Sequence, residues 1–167
     1  KHGAIYDADF FAWLERNGAT DLPHVVRRCC EIKAEVVSQD EREAGLRAIL
    51  NFGHTIGHAM EALGDYVGLL HGEAVAMGMC CAAELSVRRG GLSRGEADRL
   101  RALIAASGLP TQLGDKYDLA ALSEAMRLDK KAEAGQPRFV LLKRLGAAFV
   151  SDAVTDADVK EVVNECR

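Results

Sequence analysis

The sequence predicts a mainly α-helical single domain carrying one small β-hairpin. Three observations lead there. Apolar residues recur at helical spacing over nearly the whole chain. Helix-start and helix-stop residues punctuate that periodicity. Only residues 138–142 and 147–150 have the short, apolar, turn-flanked character of strands.

Taken in order, Asp7 to Arg16 sets Phe10, Phe11 and Leu14 on one side and stops at Asn17-Gly18, a common helix exit. Asp21 is placed to cap the next helix, with Pro23 in its first turn. That helix runs to about Ser38 and sets Val25, Val26, Cys29, Ile32 and Val36 near one face. An acidic-rich connector, 39–45, follows. Residues 47–63 read as one helix despite Gly53 and Gly57. Each interior Gly costs about 0.5–1 kcal/mol relative to Ala, so this pair points to close approach by another backbone or by a ligand.

A glycine-containing loop then leads to His71-Gly72 and a helix through Glu84 to about Arg89. Its Ala, Met, Cys and Leu on all sides mark it as the buried central helix. Ser93-Arg94-Gly95-Glu96 has capping-box spacing and opens a helix that ends near Ser107-Gly108, with Pro110 beyond. Asp118 caps a shorter helix ending in Asp129-Lys130-Lys131, and Gly135 and Pro137 break the chain. The two strands join across 143–146, and Thr155 caps a last helix to about Glu165. Nothing repeats, and no linker divides residues 1–167, so one domain is expected.

Composition narrows the function classes. The 167 residues are 49% hydrophobic and 28% charged, enough to bury one core and too apolar for intrinsic disorder. With 21 Lys+Arg against 25 Asp+Glu and no basic block, a nucleic-acid binder working by bulk charge is excluded. The longest uncharged runs, Ala48 to Met60 and Ala102 to Gly114, are thirteen residues each, short of the roughly 20 that a membrane span requires. Of the five cysteines, four are the adjacent pairs Cys29-Cys30 and Cys80-Cys81, which form neither a disulfide framework nor a CxxC motif. Free thiols packed in apolar helices, in a reducing cytoplasm, are the expectation, with a reactive thiol as the alternative. The start, Lys1-His2-Gly3, carries no initiator Met or leader and reads like the middle of a longer protein.

Chemistry concentrates at His54, His58 and His71. His54 and His58 lie one helical turn apart, the spacing that offers two imidazoles to a metal or substrate. HxxxH alone is also a common surface arrangement. Here, however, Arg47, Asn51, His54 and His58 form a polar stripe on an otherwise apolar helix. Such a stripe is hydrogen-bonded, solvated or ligand-bound. His71 precedes the central helix, where it can cap that helix or join a metal site. Spacing alone offers Glu61 and Glu73 as accompanying carboxylates. Arg47, Lys33 and the Lys130-Lys131 pair suit an anionic substrate, although two lysines at a helix end also complement its dipole.

The run Leu46-Arg47-Ala48-Ile49-Leu50-Asn51-Phe52-Gly53-His54-Thr55-Ile56-Gly57-His58-Ala59, followed by Leu70-His71-Gly72-Glu73-Ala74-Val75-Ala76-Met77-Gly78-Met79, closely resembles 3-dehydroquinate synthase. The match extends to Cys30-Glu31-Ile32-Lys33-Ala34, to Asp40-Glu41-Arg42-Glu43, to Asp129-Lys130-Lys131 and to the strand from Arg138. It covers essentially the whole chain and looks like that enzyme's helical C-terminal domain. The resemblance implies a lyase of the shikimate pathway that converts 3-deoxy-D-arabino-heptulosonate 7-phosphate to 3-dehydroquinate and phosphate. NAD+ transiently oxidises a ring hydroxyl, the resulting ketone acidifies the neighbouring C–H, and phosphate leaves. The hydride then returns, and the ring opens and recloses as a carbocycle. A divalent metal, Zn2+ or Co2+, holds the hydroxyl being oxidised, and NAD+ carries the redox step.

Carried over by position, the resemblance implies His54 and His71 as metal ligands, His58 as the proton-handling histidine near the phosphate, and Glu43 as its acidic partner. Lys1, Lys33, Arg47 and Asn51 are implied as substrate binders, together with one of Lys130 and Lys131. The family's third ligand is a glutamate in an Ala-Glu-x-x-Lys segment whose end Lys1 resembles, which displaces Glu61 and Glu73 as ligand candidates. No glycine-rich nucleotide motif is present. The chain is therefore expected to be about half of a two-domain, homodimeric enzyme, with NAD+ bound mainly by the other half and no turnover from these residues alone. A sibling sugar-phosphate cyclase acting on an uncarboxylated substrate is the nearest alternative. A non-catalytic metal-binding helical module is the other.

Overall fold

The computed structural model describes residues 1–42, 45–64, 69–114, 117–131 and 138–167, with positions 119 and 127–131 described by backbone only. Helices α1 (His2–Tyr6), α2 (Ala8–Asn17) and α3 (Leu22–Gln39) lead into a 3-10 turn at Leu46–Asn51. Next come α4 (His54–Leu63), α5 (His71–Arg89), α6 (Arg94–Ala106) and α7 (Leu119–Lys131). Strands β1 (Phe139–Arg144) and β2 (Ala147–Ser151) form an antiparallel hairpin before α8 (Asp156–Glu165). The mainly α fold with one hairpin is as expected.

The start signals act through hydrogen bonds. Asp21 accepts from the His24 N–H at 3.1 Å and Asp118 from the Ala121 N–H at 2.8 Å. Ser93 with Glu96, and Thr155 with Asp158, close reciprocal capping boxes.

Helix α5 is the axis of the core. Its residues from Ala74 to Ser86 are all buried. Ala76, Met79, Cys80 and Ala83 face a cluster with Phe10, Phe11, Ile32 and Phe52. Met77, Cys81 and Leu85 face a second cluster with Ile56, Met60, Leu122 and Val162. Strand β1 divides its side chains the same way: Val140 and Leu142 enter the first cluster, Phe139 and Leu141 the second. That is the two-residue alternation of a strand covered on both faces. Ser86, fully buried, joins the layers: its hydroxyl donates to the Ala82 carbonyl at 2.6 Å and accepts from the Leu142 N–H at 2.9 Å. At the far end of α5, Arg88 pairs with Glu161 and Glu165, and Arg89 with Asp158, holding α8 in place.

Four sequence expectations are corrected. Residues 47–63 do not form one helix: the 3-10 turn ends at Asn51, Phe52 turns extended, and Gly53 takes φ +83° before α4 begins. A Cβ at Gly53 would lie 2.7 Å from the Met79 N and 2.8 Å from the Val75 carbonyl oxygen, so the backbone of α5 occupies its place. Gly57 meets the Ala74 carbonyl at 3.1 Å in the same way. Of the two explanations for this glycine pair, close backbone approach is the one observed. Second, a short helix, α1, precedes the first expected one. Third, Val26 does not join the apolar face of α3; with Leu22 it is exposed, at 58% and 60%. Fourth, Cys80, Cys81 and Cys166 are buried free thiols, but Cys29 is only half-buried and Cys30 is exposed.

Candidate functional site

Close packing of α4 on α5 makes the site. Gly53 ends the incoming turn, so His54 is the first residue of α4 and His58 lies one turn further on. His71 is the first residue of α5, so the two helices bring their imidazoles together. Ring centroids are 5.3 Å apart for His54–His58, 5.5 Å for His54–His71 and 5.8 Å for His58–His71. One ring nitrogen from each lies within 4.8 Å of the other two.

The outer nitrogens of two rings are already engaged. His54 Nδ1 lies 3.2 Å from the Phe52 carbonyl, which can only accept, so that nitrogen carries the proton. His71 Nδ1 lies 3.1 and 3.3 Å from the two carboxylate oxygens of Glu61. Both rings are thereby left with Nε2 as the free donor atom, the usual form of a metal-binding histidine. Burial, reinforced by the Lys1 charge, pushes His54 down to about 4 against the opposing bond to Phe52, with His58 and His71 adding smaller effects. His54 is therefore neutral at pH 7, as a ligand must be. Three gathered imidazoles, with two lone pairs directed by acceptors behind them, fit a borderline cation such as Zn2+ or Co2+.

The remaining sequence candidates fall at different places. Lys1, half-buried ahead of α1, feels burial and then the charge of Lys33, both of which lower its pKa. The Lys1 charge also acts on His54, which sets Lys1 beside the histidine cluster. Arg47 and Asn51 lie on the 3-10 turn, not on α4, so the expected continuous stripe is broken at Phe52–Gly53. The Arg47 guanidinium donates to the Glu41 carbonyl at 3.3 Å. Lys130 and Lys131 end α7, which packs against α4; their side chains, like all of Glu43, lie outside the described residues. Glu73 Oε2 accepts from the Leu70 N–H at 3.0 Å, so it caps α5.

Sequence reasoning missed Asp40 here, and it offered Glu61 from spacing only to set it aside as a ligand. Asp40 Oδ2 accepts from the Gly45 N–H at 2.8 Å and the Arg47 N–H at 2.9 Å, anchoring the turn that carries Arg47. Glu61 is a buried acid on an apolar stretch of α4, a signal legible in the pattern, although its partner ten residues away was not.

Residues 1–132 match the 3-dehydroquinate synthase C-terminal family. Among solved structures, the chain is similar to 2-epi-5-epi-valiolone synthase from Streptomyces hygroscopicus subsp. jinggangensis 5008, which was solved with NAD+ and Zn2+ bound. The TM-score is 0.86 at 25% identity, covering 99% of this chain and 48% of that one. It is also similar to a 2-deoxy-scyllo-inosose synthase complexed with carbaglucose-6-phosphate, NAD+ and Co2+, with a TM-score of 0.81 at 25% identity over 99% of this chain and 49% of that one. A further 2-deoxy-scyllo-inosose synthase structure gives a TM-score of 0.69 at 27% identity, covering 83% and 39%. The chain thus spans about half the length of the first two solved relatives. With the NFGHT…GHA…LHGEAVA run supplying the histidine cluster, the chain belongs to the 3-dehydroquinate synthase C-terminal family.

Proposed function

We propose that these residues are the metal- and substrate-binding unit of an NAD+-dependent sugar-phosphate cyclase, and specifically of a 3-dehydroquinate synthase. The observation that carries the reading is the convergence of His54, His58 and His71 from two helices, with Nε2 left free on His54 and His71. In this reading His54 and His71 hold the divalent cation. Bound there, the cation would lower the pKa of a substrate hydroxyl, and NAD+ would supply the hydride acceptor. His58, exposed and one turn from His54, handles the proton lost beside the departing phosphate, with Glu43 as its acidic partner. Lys1, Lys33, Arg47, Asn51 and one of Lys130 and Lys131 clamp the carboxylate, hydroxyls and phosphate of 3-deoxy-D-arabino-heptulosonate 7-phosphate.

One observation favours a second reading. The solved relatives are cyclases named for valiolone and deoxy-inosose products, so a sibling substrate without a carboxylate is the competitor. Retention of Arg47, Asn51 and the Lys130-Lys131 pair supports the carboxylated one. NMR titration of the zinc-loaded chain decides between them. Shifts at Arg47, Asn51 and His58 that saturate at lower concentration with the heptulosonate phosphate than with sedoheptulose 7-phosphate support the synthase. The reverse order supports the sibling, and no shift with either ligand overturns both.

A further inference from the structure

We infer that Glu61 is a positioning residue for the metal centre, fixing the tautomer and orientation of His71 and supplying a buried negative charge behind it. The inference rests on the proposed reading of His71 as a metal-binding imidazole. Glu61 is only 8% exposed, although it sits on a helix that could have turned it to water. A buried carboxylate is costly unless it is hydrogen-bonded or paired. Among the described residues its hydrogen-bond partner is His71 alone, with both carboxylate oxygens within reach of Nδ1. The imidazole itself is largely exposed, at 58% for the side chain. Among the described residues the ring's hydrogen bonds go to Glu61, so Glu61 is the group that fixes its orientation.

The chemistry has two parts. An ionised carboxylate only accepts hydrogen bonds, so its contact with Nδ1 puts the proton there and leaves the Nε2 lone pair facing His54 and His58. Its charge also makes the imidazole a better donor and partly neutralises a divalent cation. Such partners behind a ligand typically account for 10–100-fold in metal affinity. Glu61 comes from the helix that carries His54 and His58, and His71 from the next. The Glu61–His71 contact therefore also ties the two halves of the cluster together.

The test combines nitrogen-15 NMR of the imidazoles in the metal-free full chain with Zn2+ titrations, taking urea midpoints as the fold check. The expected result is His71 protonated on Nδ1 in the parent and shifted toward Nε2–H in Glu61→Ala, with zinc affinity reduced 10–100-fold. Glu61→Gln keeps an acceptor but not the charge, so it retains the tautomer and loses only part of the affinity. An Nε2–H tautomer in the parent overturns the inference, as does unchanged zinc affinity in both variants when His71→Ala abolishes binding. If His71→Ala binds zinc like the parent, the metal-ligand reading fails instead, and the tautomer result still shows whether Glu61 orients the ring.

Discussion

Substituting Gly78 by Ala tests the helix contact on which the histidine cluster depends. Gly78 lies inside α5, opposite the start of α4. A Cβ built there falls 2.0 Å from the Gly53 carbonyl oxygen and 3.0 Å from both the Gly53 carbonyl carbon and the Gly57 N. These are backbone atoms, so no side chain can swing aside. Restoring an ordinary contact of about 3.4 Å requires the helices to part by roughly 1.4 Å. Overpacking of this kind costs about 1–3 kcal/mol. The gain in helix propensity from Gly to Ala returns about 1 kcal/mol, leaving a net loss of up to about 2 kcal/mol.

The effect on the site is larger, because His54 directly follows Gly53. A metal site tolerates ligand displacements of only about 0.2 Å, so cation affinity should fall at least tenfold. Urea denaturation reads the first effect and calorimetric titration with Co2+ the second. Gly95→Ala is the control: a Cβ at this helical position meets nothing within 4 Å. It should leave cation binding unchanged and raise stability by up to about 1 kcal/mol. Gly78→Ala with the parent's urea midpoint and cation affinity would refute the packing argument.

Other substitutions probe separate parts of the structure. Ser86→Ala leaves the buried Leu142 N–H without its acceptor and should cost about 1–3 kcal/mol in urea unfolding; a loss below 0.5 kcal/mol by the same measure, of order one weak surface contact, would contradict the role given to that hydroxyl. Burial alone would raise the Asp158 carboxyl, but bonds from the Thr155 N–H and hydroxyl and from Arg89 outweigh it and bring it down to about 2. Its folded pKa is below its unfolded one, so its stabilising contribution is complete above about pH 4 and is lost as pH falls toward 2. After allowance for screening by nearby solvent that contribution is about 1 kcal/mol, so Asp158→Asn should flatten the acid limb of the stability curve. His54 should titrate near 4 in proton NMR of the metal-free chain, and Lys1→Gln should raise that midpoint; a parent midpoint at 6.5 would show that neither burial nor Lys1 acts on it.

What could be read from the sequence was what is local. Asp21, Ser93, Asp118 and Thr155 announce helix starts because a cap bonds to a backbone N–H only three residues ahead. The two-faced burial of α5 shows in its unbroken small and apolar content. The interruption at Phe52–Gly53 did not show, because 3-10 and α-helical segments share apolar spacing and the need for a left-handed glycine comes from Val75 and Met79 on another helix. Exposure of Leu22 and Val26 escaped for the same reason: periodicity identifies an apolar face without showing how far other elements cover it. At the site, the histidines could be named from their spacing and family resemblance. The bond from His71 to Glu61 required knowing how α5 lies on α4.

In the proposed site His54 and His71 hold a divalent cation while His58 stays free for proton transfer. Cobalt absorption spectroscopy tests this assignment, because d–d bands change with the number and geometry of the coordinating nitrogens. The expected Co2+ spectrum of the parent survives in His58→Ala and disappears in both His54→Ala and His71→Ala, with all three variants folded. An unchanged spectrum in His54→Ala or His71→Ala, or its loss in His58→Ala alone, would contradict it.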